Sequence, residues 1–350
     1  QSSVFSIAQD KRGMMWFGTW DGLNRYDGYQ FTTYKYQPLN PNSLSNNEVR
    51  ALHEDAEGVL WVGTMDGLCR FDRDKEHFIR YRHDPSNPLS LGGNKVQAIV
   101  EDRNAGLWVG TEDGGLSRFD RDTGQFTRYQ HDPEDPESIS HNDVRALCVD
   151  RQGMVWVGTW GGGLNLFDPN AERFTLHKHS PNSPTSLGDD FVQAVYEDEQ
   201  GTVWVGTASG GLSRLEQGWR RFTNYLPEPS NPFSLSDKDV ISIYETRGGE
   251  LWIGTRGGGL NRFDRNTRQF LHYQPIDGNN VWSLYEDLSG ILWIGTSEGG
   301  VNRVLPNLKN FVHYQHDPGN STSLSGNDVW SILEGSDGVL WIGLWDHGLN

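Results

Sequence analysis

The chain has 350 residues, 30 basic and 47 acidic side chains, a net charge of −17 and two cysteines. That acidic surplus repels phosphate backbones and leaves no basic stripe, which argues against nucleic acid as a partner. No apolar run approaches the roughly 20 residues a membrane helix needs, and Cys69 and Cys148 lack C-x-x-C spacing or a neighbouring His pair, so no zinc site is expected.

From its first residues to its last, the chain repeats one phrase: V-x-x-[IL], an acidic turn ending in Gly, [LMV]-W-[VIF]-G, and G-[LV]-[NSC]. Copies begin at Val4, Val49, Val96, Val144, Val192, Val240, Val281 and Val329. Their marker tryptophans are Trp16, Trp61, Trp108, Trp156, Trp204, Trp252, Trp293 and Trp341, spaced by 45, 47, 48, 48, 48, 41 and 48 residues. A period of roughly 40–50 residues, built from short strands without a helical pattern, predicts propeller blades. The fold class expected is therefore all-β: a β-propeller of four-stranded antiparallel blades.

In the fourth repeat, 144–150 alternates along strand A and Gly153 turns the chain. Strand B follows at 154–159, strand C at 163–168 after a glycine-dense turn, and strand D at 174–177. A lone four-stranded sheet buries too little, so stacking around an axis must cover both faces. The repeated Trp is the wedge expected between sheets. Between strands D and A the chain is rich in Asp-Pro and Asn-Pro steps, which predicts one ordered loop type used many times. Its histidines, His83, His131 and His316, recur at the same place in separate repeats. Loop structure accounts for them better than metal binding, and neither a metal nor a cofactor is expected.

Seven repeats carry all four strands, whereas the eighth has A, B and C but no D before the sequence stops at Asn350. Seven blades over 1–314 are the expected ring, with eight as the alternative. Residues 315–350 are then a closing blade or the start of a second propeller. With no initiator Met and an interrupted eighth motif, the sequence reads as a piece of a longer protein.

Strand direction alternates, so B-to-C and D-to-A loops share one face of the ring. The A-to-B turns vary little, although Ala105 stands where the others have Gly. The B-to-C loops differ much more, offering Trp20, Asp21, Asp66, Glu112, Asp113, Trp160, Arg256 and Glu298. Near the same mouth lie His141 and the starts of strand A: Arg50, Gln97, Arg145, Gln193, Trp282 and Trp330. A rigid scaffold that varies its side chains on one face is built like a binding surface. Aromatic faces with guanidinium, amide and carboxylate groups suit a sugar, though peptides and small acids could use them too. No hydrolase, zinc-protease, phosphate-loop or calcium-loop motif is present, and no catalytic residues are assigned.

The phrase closely resembles the two-component regulator propeller repeat. It is carried by I-V-E-D at 99–102 with L-W-V-G-T at 107–111 and G-G-L-S-R-F-D at 114–120, and by L-Y-E-D at 284–287 with L-W-I-G-T at 292–296. Departures are local: Thr246 replaces the second acid, Gly335 alters the last repeat, and Leu344 stands where Thr is usual. The resemblance implies a sensor region outside the cytoplasmic membrane, usually two seven-bladed propellers, a small β-sandwich and a membrane helix. It also implies a dimeric, membrane-anchored bacterial receptor whose output is a histidine kinase or diguanylate cyclase, and whose ligands are frequently oligosaccharides. Two other readings remain beside it. One is an enzyme similar to streptogramin lyases, for which His141 and Glu112 are the best available pair; the other is a protein-interaction scaffold.

Overall fold

The computed structural model describes residues 3–216, 221–273, 279–297, 299–304, 319, 321, 323, 329–334, 340–344 and 348–349. They fall into two compact units, Gln1–Arg303 and Val304–Asn350. Within the first unit, each repeat forms one antiparallel sheet with its strands side by side in chain order. Blade four is typical, with strands Val144–Val149, Val155–Thr159, Gly163–Asp168 and Arg173–His177, each within a residue of the expected bounds.

Six blades have four strands, and the seventh has three described ones, Val281–Glu286, Leu292–Thr296 and Val301–Val304. Its expected fourth strand and the expected boundary at residue 314 lie outside the described residues. The first unit is an all-β propeller of seven blades.

The Gly of each W-x-G step explains how sheets come close enough to stack. A Cβ on Gly63 would stand 2.5 Å from Val96 Cγ1, the first residue of the next blade's strand A, and Gly110 and Gly158 meet Val144 and Val192 at the same distance. Gly295 of blade seven makes the equivalent approach to Val4, whose Cγ1 would lie 3.0 Å from the added carbon. Blade one therefore takes the place that an eighth blade would occupy. Phe17 and Trp293 pack across the same seam with ring centroids 5.8 Å apart.

The marker tryptophans are core. Trp16, Trp61, Trp108, Trp156 and Trp204 are all but fully buried, and Trp16 meets Phe71 of the next blade edge-on at 5.3 Å. Deleting such an aromatic costs about 3–5 kcal/mol. In these five the indole Nε1–H donates to the Asp six residues earlier, as from Trp16 to Asp10 at 2.8 Å and from Trp61 to Asp55 at 2.7 Å. The other carboxylate oxygen of Asp10 accepts the backbone N–H groups of Arg12 and Met14. Thus the acid that recurs in the A-to-B turn is structural.

The D-to-A loops are ordered as expected. His83, His131 and His179 each place Nδ1 2.8 Å from the carbonyl of Leu91, Ile139 and Leu187, respectively, eight residues on. Those three apolar residues are fully buried between blades. His316 lies outside the described residues. Cys69 and Cys148 are free thiols, and burial pushes Cys148 up to about 12.

Among the described residues of the second unit are three antiparallel strands, Val329–Glu334, Leu340–Leu344 and Gly348–Leu349.

Candidate functional site

Every strand A of the ring carries the same irregularity. Val49 pairs with Thr64 and Ala51 with Gly63, so Arg50 is an extra residue opposite no partner. The same one-residue bulge occurs at Phe5, Gln97, Arg145, Gln193, Ile241 and Trp282. A bulge re-aims a side chain out of the pleat's alternation. These seven residues, one per blade, converge with Trp160 and Arg256 around a single cavity of about 420 Å³. That volume lies within the roughly 300–1,000 Å³ of ordinary small-molecule sites.

Of the residues expected at this mouth, the structure brings Arg50, Gln97, Arg145, Trp160, Gln193, Arg256 and Trp282 together at the cavity. Sequence reasoning missed Phe5 and Ile241, although each directly follows the first Val of its strand A, as Arg50 and Gln97 do. Trp20 stands at the rim, 57% exposed, with its ring 6.0 Å from Phe5. Glu112 sits just outside the lining, accepting from Lys95 Nζ at 3.1 Å and Gln97 Nε2 at 3.2 Å.

Other expected residues are held away from the cavity. Asp21 pairs with Lys35 at 2.5 Å and Asp66 with Arg82 at 2.6 Å, both cations coming from the chain just after strand D. Asp113 is exposed beside Gly93. His141 is exposed, and its Nδ1 accepts the backbone N–H of Asp143 at 3.1 Å. His141 and Glu112 form neither a hydrogen bond nor an ion pair with each other. Glu298 lies outside the described residues. Trp330 belongs to the second unit, where its backbone occupies the same bulge position in Val329–Glu334; its side chain is outside the described residues.

The cavity's cations are already matched. Arg50 Nε donates to Glu48 at 2.6 Å, Arg145 Nη2 to Asp143 at 2.8 Å, and Arg256 Nε lies 3.0 Å from Asp239. Each guanidinium also covers an aromatic face: Arg50 over Phe5 at 3.9 Å, Arg145 over Trp160 at 5.5 Å, and Arg256 over Trp282 at 4.9 Å. Gln193 bridges two blades, donating to Asp239 and accepting from Arg256 Nη2 at 3.0 Å. Burial pushes the Asp143 and Asp239 carboxyls above their ordinary value, against the pull of the hydrogen bonds from Arg145 and Gln193. Such matched, aromatic-backed polar groups can orient a hydroxyl-rich ligand. Among the described residues, no cluster suited to a metal is present.

The family model for the two component regulator propeller matches eight segments, at 1–21, 43–66, 90–113, 138–161, 186–209, 234–257, 275–298 and 323–346, together more than half of the chain. The extracellular domain of a putative hybrid two component system from B. thetaiotaomicron is 25% identical, with a TM-score of 0.74; the match covers all of this chain and 51% of that one. A virginiamycin B lyase from Staphylococcus aureus shares the fold at 13% identity and a TM-score of 0.66, over 86% of this chain and 94% of the lyase. Histidine kinase P4 of Formosa agariphila is 51% identical over 45 residues, which is 13% of this chain and 3% of that protein. The chain thus spans about half of the B. thetaiotaomicron domain and a small part of the kinase. It belongs to the two-component regulator propeller family.

Proposed function

We propose that the propeller is the ligand-binding sensor segment of a bacterial signal-transduction receptor, exposed outside the cytoplasmic membrane, and that its funnel takes an oligosaccharide or a similar small solute. The observation that carries this reading is the convergence of seven bulge residues, one from each blade, on a single cavity. Membership of the family supports a role in sensing, and likeness to the extracellular domain of a hybrid system supports the location. The histidine kinase match over one repeat favours a kinase output over a diguanylate cyclase. The parent receptor is read as membrane-anchored and dimeric.

Binding can bias such a dimer between two states only through a difference in affinity for them. Because the cavity touches all seven blades, a ligand there couples to the relative placement of every blade. The segment itself is read as non-catalytic, a reading supported by its membership of the two-component regulator propeller family.

Titration calorimetry with a panel of oligosaccharides tests the reading. Binding is expected to weaken at least tenfold in Arg145→Ala and in Trp160→Ala, and to be unchanged in Gln200→Ala on the opposite face. Unaltered affinity after replacing Arg145, Trp160 and Gln193 together would exclude the funnel.

A further inference from the structure

The loops that enter blades two to six all carry Pro-x-Ser-Leu or Pro-x-Ser-Ile, and each sets its aliphatic residue five places before the Val that opens strand A: Leu44, Leu91, Ile139, Leu187 and Leu235. Each of these is buried beside the marker tryptophan of the preceding blade, as Leu44 is beside Trp16 and Leu91 beside Trp61. The x residue's carbonyl accepts the backbone N–H of the strand-D Phe of the blade being entered: Asn42 from Phe78, Leu89 from Phe126, Glu137 from Phe174, Thr185 from Phe222 and Phe233 from Phe270. The small residue after the aliphatic one bonds a side chain on strand C. Ser140 and Ser236 exchange two bonds each with Asn165 and Asn261, Gly92 and Gly188 donate to Ser117 and Ser213, and Ser45 Oγ lies 3.1 Å from Cys69 Sγ.

Blade one departs at every one of these points. Phe31 is 61% exposed, whereas its five counterparts are at most 8% exposed. Among the described residues no loop carbonyl accepts its backbone N–H. Asn24, which stands where Asn165 and Asn261 do, is half-buried, and its Oδ1 accepts from Thr33 of the same blade at 2.8 Å. All five of its counterparts are fully buried. Trp293 of blade seven, beside which the aliphatic residue would lie, is only half-buried. In blades two to six the partners of the Phe N–H and of the strand-C side chain come from the entering loop, never from the preceding blade's strand D. An exposed aromatic beside unmet backbone and amide groups marks a surface that another segment covers.

Independently of what the funnel binds, we propose that this face of blade one is the seat of the stretch of the parent chain that runs directly into Gln1. Residues 1–3 stand in the register of 46–48, the last three residues before Val49. The residue directly ahead of Gln1 is then Ser or Gly and bonds Asn24. The one ahead of it is Leu or Ile and closes over Trp293. The carbonyl two residues before that aliphatic one accepts the N–H of Phe31. Seated in this way, the segment covers the outer side of the seam where blade seven meets blade one, and it is joined covalently to the strand A that forms the seam's inner side.

The test extends the 350-residue chain with a copy of the loop segment 37–45 placed directly ahead of Gln1, which sets its Leu and Ser in the proposed register. The five loops differ in sequence yet seat alike, so a copy of one is expected to fit blade one. The melting temperature is expected to rise by about 3–6 °C, the shift for burying one aliphatic side chain and closing two hydrogen bonds in a chain of this size. Hydrogen exchange at the Phe31 amide is expected to slow at least tenfold. The same extension with Asp in place of its Leu is expected to do neither. Asn24→Ala is expected to lower the melting temperature more in the extended chain than in the original, because only there does the amide have its loop partner.

An extension that changes neither the melting temperature nor exchange at Phe31 overturns the proposal, and so does an equal gain from the Asp version or an equal effect of Asn24→Ala in both chains. A parent sequence with a charged residue in either of the two places ahead of Gln1 overturns it as well. None of these outcomes bears on the funnel.

Discussion

Gln9 Oε1 accepts the backbone N–H of Leu288 at 2.7 Å across 279 residues of sequence. In the neighbouring blades a glutamate makes the same link, from Glu54 to the N–H of Lys11, Glu101 to Ala56, and Glu245 to Glu199. A glutamate at the end of strand A thus stitches most neighbouring blades together, blade four having Val149 in that place, and a neutral amide takes it at the closing seam. Gln9→Ala is expected to destabilise the ring by about 0.5–1.5 kcal/mol, the net worth of one such bond. Hydrogen exchange should quicken at the A-to-B turn of blade seven, around Leu288, and remain unchanged at the turn of blade three. Uniform quickening would argue against a seam held by this contact.

Blade six lacks the usual partner for its indole. Thr246 stands where the other turns have Asp, and the buried Trp252 Nε1 is left without a hydrogen bond. Thr246→Asp is expected to stabilise the protein by about 1 kcal/mol at neutral pH, since an unmet buried donor costs more than a made bond returns. Asp150 in blade four, which holds Trp156 Nε1 at 3.0 Å, supplies the precedent. Chemical denaturation checks it, and a lower midpoint would contradict it.

Arg73 joins two blades by bonding Asp10 at 2.6 Å and Glu54 at 2.8 Å. Burial pushes the Asp10 carboxyl up, but the hydrogen bonds from Arg73, Trp16 and Met14 outweigh it and leave the group below its ordinary 3.8. Burial raises Glu54 overall, with Arg73 pulling it back down. Removing Arg73 therefore raises both carboxyls. A depressed carboxyl contributes stability that is complete above its unfolded value and lost as pH falls through its folded value. Arg73→Ala is expected to cost about 2 kcal/mol at pH 7, in a site that is mostly buried. In urea melts that gap should close as pH falls below 3.8, the ordinary carboxyl value. A gap that stays constant down to acid pH would show that Arg73 acts through packing alone.

Ala105 adopts φ of 61° where Gly13, Gly58, Gly153 and Gly201 hold the same turn at 76–84°. A Cβ in the left-handed region costs about 1–2 kcal/mol, partly offset because Gly makes the unfolded chain more flexible. Ala105→Gly is expected to gain about 0.5–1 kcal/mol, read as a raised denaturation midpoint. No gain would mean that the turn carries no strain.

The fold was legible because its signals are local and repeated. Trp-x-Gly, the acidic turn and the Val that opens strand A recur in register, and even the exceptions at Ala105 and Thr246 mark places where the structure is strained or unpaired. The binding face was legible only in part. Arg50, Arg145 and Trp282 stood out as large polar or aromatic residues at strand starts. Phe5 and Ile241 occupy the same position but read as ordinary apolar strand residues, and nothing in a single repeat announces the bulge that turns them to the axis. Asp21 and Asp66 looked equally available. Lys35 and Arg82, which hold them away from the cavity, are neighbours only once strands C and D have paired.

A crystal structure of the chain soaked with the tightest-binding oligosaccharide tests the central claim most directly. The account predicts sugar density on the ring axis, within contact of Trp160, Trp282 and at least one of Arg50, Arg145 and Arg256. Density confined to the face of the A-to-B turns, or to the clefts between blades, would contradict it.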